Sequence, residues 1–299
     1  MGLFDVVLLT DSRYVDPVSP GKYVQNILDE DQIVRESLES KGLKVSRKDW
    51  ADPEFDWEST RSVLFRTNWD YFDRFEEFSK WLINTSLKAK FINTADLVNW
   101  NVNKQYLAYL ADKDIPIVPT RYITRGTRLS LEQLHALTGW KETVIKPTVG
   151  GAARHTYSIT HENLHAVSNK LEKLMKEEDF MLQPFQYSIL EKGEISLMIF
   201  GDQFSHSVLK KAKEGDFRVQ DDHGGTVHNY KASEEEITFA LKAVEACPEK
   251  PAYARVDMVR DNDGELAVSE LELIEPELWF RYKPSAAMLL ADEVIERLN

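Results

Sequence analysis

The sequence predicts an α/β protein, and three observations carry that reading. The opening third alternates short apolar runs with one amphipathic helical stretch, the pattern of a parallel sheet covered by helices. The later chain instead carries hairpin signals, in which paired runs are joined by Gly-Asp or Asp-Asn-Asp-Gly turns. Its 299 residues, 42% hydrophobic and 29% charged, suit a globular protein of about two domains with ample core.

Asp5–Thr10, DVVLLT, reads as a buried strand that ends in the polar loop Asp11-Ser12-Arg13. Asp29–Lys41 reads as a helix with Ile33, Val34 and Leu38 as its apolar stripe and Gly42 as its stop. Leu43–Arg47 and Ser62–Arg66 read as further strands. Ligands of such sheets bind at the carboxyl ends of strands, where Asp11 and Arg66 fall. Arg66 suits a bidentate clamp on a substrate carboxylate or a structural ion pair, and Trp69, Tyr71 and Phe72 suit core.

A helix over Asn101–Asp112 follows, with Lys104 near its start, where the macrodipole disfavours a cation unless an anion is close. Glu142–Pro147 is a strand carrying Lys146, followed by the small-residue loop Thr148–Ala153, whose backbone N–H groups an anion can approach. It is neither a GxxxxGK[ST] loop nor a GxGxxG turn. After a helix over Asn163–Lys176, Phe180–Phe185 is a strand in which Pro184 removes a ladder donor. Glu194–Phe200 and Gln203–Lys210 form a hairpin, Lys213–Gly225 a polar lid carrying Arg218, and Ser233–Ala246 a helix with a capping box.

The stretch Tyr253–Phe280 reads as two strands. With Asp263-Gly264 as the central turn residues, Asp257 faces Glu270, and Glu272 shares their face with Leu266, Val268 and Ile274. Carboxylates opposed at about 5 Å repel, so a positive group is expected between them. Oxygen-only ligands suit Mg²⁺ or Mn²⁺ shared with phosphates. The alternative is an acidic edge strand that discourages aggregation.

Lys+Arg 37 against Asp+Glu 50 gives a net charge of −13, which argues against nucleic acid or an anionic membrane as the main partner. The single cysteine, Cys247, excludes an internal disulfide framework. With no basic leader and no apolar run approaching about 18 residues, a cytoplasmic protein is expected.

In order and spacing these pieces resemble the ATP-grasp superfamily, in the branch of glutathione synthetase and the RimK-type carboxylate–amine ligases. The carriers are the lysines of NVNK and VIKP, the hinge strand MLQPF, the acidic residue of GEIS, the basic lid and the D…ExE hairpin. GGAARHT and GDFRVQ are also similar to stretches of cyclo-ligases that close the cycloserine ring. The resemblance implies an N-terminal α/β domain over 1–95 and two lobes, 96–180 and 181–299, with ATP between them. It implies that Lys104, Lys146 and the backbone of Gly150, Gly151 and Ala152 hold the ATP phosphates. Gln183 and Phe185 would frame adenine, Glu194 the ribose, and Asp257, Glu270 and Glu272 would hold Mg²⁺ or Mn²⁺. Family members commonly carry asparagine where this chain has Glu272.

The implied reaction activates a carboxylate as an acylphosphate for attack by an amine, with Lys210 and Arg218 neutralising charge. Intramolecular ring closure is the alternative within enzymes, and an ATP-binding regulatory protein without turnover is the alternative outside them. Asp11, Arg66 and His155 are the expected contacts to amino-acid or peptide-like substrates. The sequence leaves a homodimer open.

Overall fold

The computed structural model describes residues 2–219 and 224–299, so residues 220–223 of the expected lid lie outside the described residues. The first sheet is parallel with order β2-β1-β3-β4, formed by β1 (Phe4–Thr10), β2 (Val45–Asp49), β3 (Thr60–Thr67) and β4 (Lys90–Ile92). Val6 to Leu9 are fully buried, because helices cover both faces of a parallel sheet. Helix α1 (Lys22–Ser40) starts well before the predicted Asp29. Its inner face is partly acidic, which hid it from a search for apolar periodicity. Glu30 accepts the backbone N–H groups of Phe280 and Arg281, and Asp31 pairs with Arg47. On the opposite face α2 (Phe75–Ser86) packs Phe78 and Leu82 against Trp50, Phe65 and Phe91.

The predicted helix over 101–112 is two helices, α3 (Ala95–Asn101) and α4 (Tyr106–Ala111), with Lys104 in the turn between them. The break lets Lys104 N–H donate to Thr148 O at 2.8 Å, which joins this turn to the small-residue loop. The second sheet, of order β5-β8-β6-β7, comprises β5 (Arg121–Ile123), β6 (Thr143–Pro147), β7 (Tyr157–Ile159) and β8 (Phe180–Pro184). Helices α5 (Leu131–Thr138), α6 (Leu164–Leu171) and α7 (Leu174–Glu177) cover one face, so the single helix predicted over 163–176 is also divided.

A short α8 (Ser188–Glu191) leads into the third sheet, antiparallel with order β11-β10-β9-β12-β13. Its strands are β9 (Glu194–Phe200), β10 (Gln203–Lys211), β11 (Thr226–Tyr230), β12 (Tyr253–Arg260) and β13 (Leu266–Glu272). Helix α9 (Glu234–Glu245) opens with the predicted capping box, Ser233 and Glu236 satisfying each other's backbone N–H. Helix α10 (Ala286–Leu298) returns to share a core with α1.

The β12–β13 hairpin corrects the predicted turn. Its loop runs from Asp261 to Glu265, closed by Asp261 N–H to Glu265 O at 2.8 Å, instead of centring on Asp263-Gly264. That odd loop would set Asp257 opposite Ser269. A bulge then leaves Ser269 unpaired between Met258↔Val268 and Asp257↔Glu270, and the predicted opposition of Asp257 and Glu270 is recovered. The bulge also exchanges faces, so Leu266 and Val268 join Leu271 and Leu273 in the core and do not accompany Glu270 and Glu272.

Asn93 ties the first sheet to the third. Its side-chain amide donates to Tyr253 O at 3.0 Å and Leu273 O at 2.8 Å, and its oxygen accepts from Ala252 N–H. Asn93→Ala strands these buried groups, and since each unsatisfied one costs about 1–3 kcal/mol, a loss of roughly 3 kcal/mol in urea unfolding is expected. A loss below about 1 kcal/mol would show that solvent or rearrangement replaces the bridge.

Candidate active site

A cavity of about 230 Å³ opens between the second and third sheets. Every residue expected to hold nucleotide or metal, or to neutralise charge, lines it: Lys104, Lys146, Gly150, Gly151, Ala152, Gln183, Phe185, Glu194, Lys210, Arg218, Asp257, Glu270 and Glu272. Lys146 lies on β6 and Gln183 on β8. Glu194, Lys210 and Asp257 are carried by adjacent strands of the third sheet, β9, β10 and β12, and Glu270 and Glu272 by β13. Between the sheets runs the loop 148–153. A Cβ on Gly151 would stand 2.9 Å from the Phe72 ring, and Ala152 and Ala153 take left-handed φ of 48° and 52°. Glu194 is reached by Ser269 Oγ at 2.6 Å and Lys210 Nζ at 2.6 Å, so the bulge residue serves the site directly.

Positive charge does stand among the carboxylates: Arg255 joins Asp257 to Glu272, and Lys104 faces Glu270. The Arg255 guanidinium binds Asp257 through Nε at 3.0 Å and Nη2 at 2.8 Å, pairs with Glu272, and stacks 5.0 Å from the Trp279 ring centroid. The sequence did hold a signal, since Arg255 precedes Asp257 by one strand repeat and must share its face. Phe217, which meets Phe185 edge-on at 5.9 Å, is a second lining residue that sequence reasoning passed over.

The remaining charges form a partly closed set. Lys210 Nζ also reaches Asp257 at 3.0 Å, and Lys104 Nζ lies 2.6 Å from Gly150 O and 3.0 Å from Glu270. Burial opposes ionisation of Asp257, yet Arg255 and Lys210 outweigh it and hold that carboxyl well below its ordinary range. Lys104 and Lys146 likewise lower Glu270 against the cost of burial. Lys146 makes no side-chain ion pair or hydrogen bond among the described residues. Burial and the neighbouring Lys104 lower its pKa, partly offset by Glu270. A buried cation without a partner is costly, and an anion from outside relieves it.

On the acidic side the balance is reversed. Burial, opposed by Arg255 and reinforced by Glu270 and Asp257, pushes Glu272 up to about 8. No three carboxylates or imidazoles among the described residues converge closely enough to hold a metal ion by themselves. The donors are nevertheless all oxygen, and Glu272 keeps 24% of its side chain open to the cavity. Such a set fits a hard divalent cation whose remaining ligands come from phosphate and water.

A second cavity of about 370 Å³ adjoins the first across Lys104, Gly150, Arg255, Glu270 and Glu272. Trp69, Tyr71 and Phe72, expected in the core, line it, although Tyr71 and Phe72 are also largely buried. The three expected substrate residues lie elsewhere. Asp11 is fully buried and holds Arg13, the residue that does face the second cavity. Arg66 is 2% exposed, with Nε 3.4 Å from Asp31 and Nη1 3.4 Å from Pro276 O, so it is the structural ion pair and not an open clamp. His155 stands 3.5 Å from Glu178 outside both cavities.

Two segments of the chain match known protein families. Residues 6–93 match the N-terminal domain of D-cycloserine synthetase DcsG, and residues 141–274 match the RimK-like ATP-grasp domain. The cycloserine biosynthesis protein DcsG of Streptomyces lavendulae is 29% identical over 282 residues, covering 88% of this chain and 92% of that protein. The crystal structure of D-cycloserine synthetase DcsG superposes with a TM-score of 0.86 at 27% identity, covering 98% of this chain and 99% of the other. D-alanine–D-alanine ligase from Bacillus anthracis complexed with ATP shares the fold, with a TM-score of 0.67 at 14% identity over 99% of this chain and 97% of the other. No helix among the described residues is long and apolar enough to cross a membrane.

The elevated Glu272 fixes the sign of a pH effect. A carboxyl that titrates at about 8 when folded and near 4.5 when unfolded binds its proton more tightly in the folded state, so its contribution is present below pH 4.5 and is lost as pH rises to 8. Ligand-free protein should therefore lose stability across that window, and Glu272→Gln should flatten the slope. An unchanged slope in the variant would show that Glu272 is ionised throughout.

Proposed function

Since the chain belongs to the ATP-grasp superfamily and is an ATP-using ligase that forms carbon–nitrogen bonds, we propose that the two adjoining cavities hold ATP and an amino-acid-like carboxylate, respectively. Lys104 and Lys146 take the ATP phosphates together with the backbone of Gly150, Gly151 and Ala152. Adenine packs beside Phe185 and Gln183, and Glu194 receives the ribose hydroxyls. We assign substrate binding mainly to residues 1–95 and nucleotide binding to the lobes 96–180 and 181–299. The observation that supports this most strongly is Lys146, a half-buried cation with no ion pair or side-chain hydrogen bond among the described residues, in a cavity where the other lysines are paired with acids.

A carboxylate resists amines because hydroxide is a poor leaving group. One carboxylate oxygen attacks the γ-phosphorus, the bond to ADP breaks, and an acylphosphate forms. The nucleophile then attacks the carbonyl carbon, the bond to phosphate breaks, and the nucleophile's proton is released. Lys210, Arg218 and Arg255 offset negative charge as it develops first on the leaving ADP and then, when the nucleophile attacks, on the acyl oxygen. Mg²⁺ or Mn²⁺ at Asp257, Glu270 and Glu272 would supply further charge neutralisation at the phosphates. Because the reaction consumes ATP, we place the enzyme in the cytoplasm.

Similarity to D-cycloserine synthetase along nearly the whole chain favours ring closure, with acid and nucleophile in one molecule, over joining of two molecules. A phosphate-release screen of amino acids and their derivatives, singly and in pairs, decides this. Turnover with a single compound, giving ADP and phosphate, is expected, and turnover only with pairs would favour intermolecular ligation. Formation of AMP and pyrophosphate would refute acylphosphate chemistry altogether. In Glu270→Gln, at saturating Mg²⁺ and ATP, ADP formation should fall by about 100-fold or more. Wild-type rates in that variant would remove Glu270 from the phosphate site.

A further inference from the structure

In the second cavity each carboxylate but one has an internal cation. Glu270 pairs with Lys104, Glu272 with Arg255, Asp73 with Arg154 and Glu277 with Arg281. Glu275 makes no ion pair among the described residues, although it lines this cavity. Its nearest polar company is the Tyr71 hydroxyl, and burial, eased by that hydroxyl and by Lys104, leaves its carboxyl up at about 7.

The backbone around Glu275 is held by side chains from other elements. Tyr253 Oη donates to Ile274 O at 2.7 Å, Trp69 Nε1 to Glu275 O at 3.0 Å, and Arg66 Nη1 to Pro276 O at 3.4 Å. Three successive carbonyls are thus hydrogen-bonded from outside, so the carboxylate is presented from a braced segment. Glu270, Glu272 and Arg255 face both cavities, whereas Glu275 faces only the second. An incoming cation that meets Glu275 therefore sits on the side away from the phosphates.

We propose that Glu275, backed by Tyr71, is the specificity residue that binds the ammonium group of an amino-acid substrate, whose carboxylate points toward Arg255 and the ATP cavity. This assignment rests on the two-cavity reading above, and it narrows the substrate class from carboxylic acids to those carrying a free primary ammonium. It explains why a half-buried carboxylate is kept with a hydroxyl beside it and no cation among the described residues: a neutral or hydroxylated analogue leaves its charge uncompensated, so discrimination follows from the penalty of an unpaired charge.

The test measures binding without turnover. Proteinogenic amino acids of both hands, and their 2-hydroxy-acid counterparts, are titrated calorimetrically into the protein with Mg²⁺ and a non-hydrolysable ATP analogue. At least one amino acid should bind about 30-fold or more tightly than its hydroxy counterpart, the size expected for a charge-assisted contact. Glu275→Gln should collapse that ratio while leaving nucleotide affinity unchanged, and Glu275→Asp should retain part of it. If Glu275→Gln does not fold, Tyr71→Phe replaces it and should reduce the ratio. Equal binding of both acid series, no binding of any amino acid to the wild type, or an undiminished ratio in the variants would overturn the proposal. Failure of the nucleotide itself to bind would count instead against the ATP site, so the two readings fail separately.

Discussion

Charge compensation in a cleft that is only partly open to water is the constraint on which the rest of this structure depends. Lys104, Lys146, Lys210 and Arg255 come from four different segments, and so do the acids they face, Glu194, Asp257, Glu270 and Glu275. Bare ions of either sign are expensive away from water, and paired ones nearly break even only when their geometry is held. Geometry is therefore where the fold invests its irregular features. The bulge at Ser269 sets Asp257 against Glu270, the break between α3 and α4 brings Lys104 to the loop at Thr148, and Asn93 and Asn101 pin β13 through its backbone.

The same constraint explains why the site is not an open set of charges. Lys104 rests on Glu270 and the Gly150 carbonyl, and Lys210 on Glu194 and Asp257. Nucleotide binding on this reading is an exchange of partners within an existing network. Among the described residues two members make no ion pair: Lys146 on the side of the first cavity and Glu275, which has only the Tyr71 hydroxyl, in the second. They mark where positive and negative charge are left for ligands to complete.

Much of this was legible in the sequence, for stated physical reasons. Alternation of side chains along strands placed Asp257, Glu270 and Glu272 together, and the residues expected to hold nucleotide, read from the order of lysines, small-residue loop and hinge strand, line one cavity. The loop length of the acidic hairpin was misread, but the bulge cancelled the error at Glu270 and left it visible only at Leu266 and Val268. Helix α1 was shortened because buried Glu30 and Asp31 look polar in a linear reading. Arg66, Asp11 and His155 were misplaced for a different reason. Charge at the carboxyl end of a parallel strand does not reveal whether a neighbouring group already neutralises it, as Asp31 does for Arg66 and Arg13 for Asp11, and the loop that carries His155 turns it toward Glu178 and away from both cavities. Glu275 was missed because its meaning lies in the absence of a partner, which no sequence displays.

The three carbonyls held by Tyr253, Trp69 and Arg66 carry a consequence for how such an enzyme diversifies. Two of those donors belong to the first sheet and its following loop, and the segment they grip belongs to the third. Exchange of the N-terminal region as a module would release that grip and spoil the presentation of Glu275 before any substrate contact was altered. A change of side chains around the cavity would leave that grip in place, whereas an exchanged N-terminal region would have to supply both donors again.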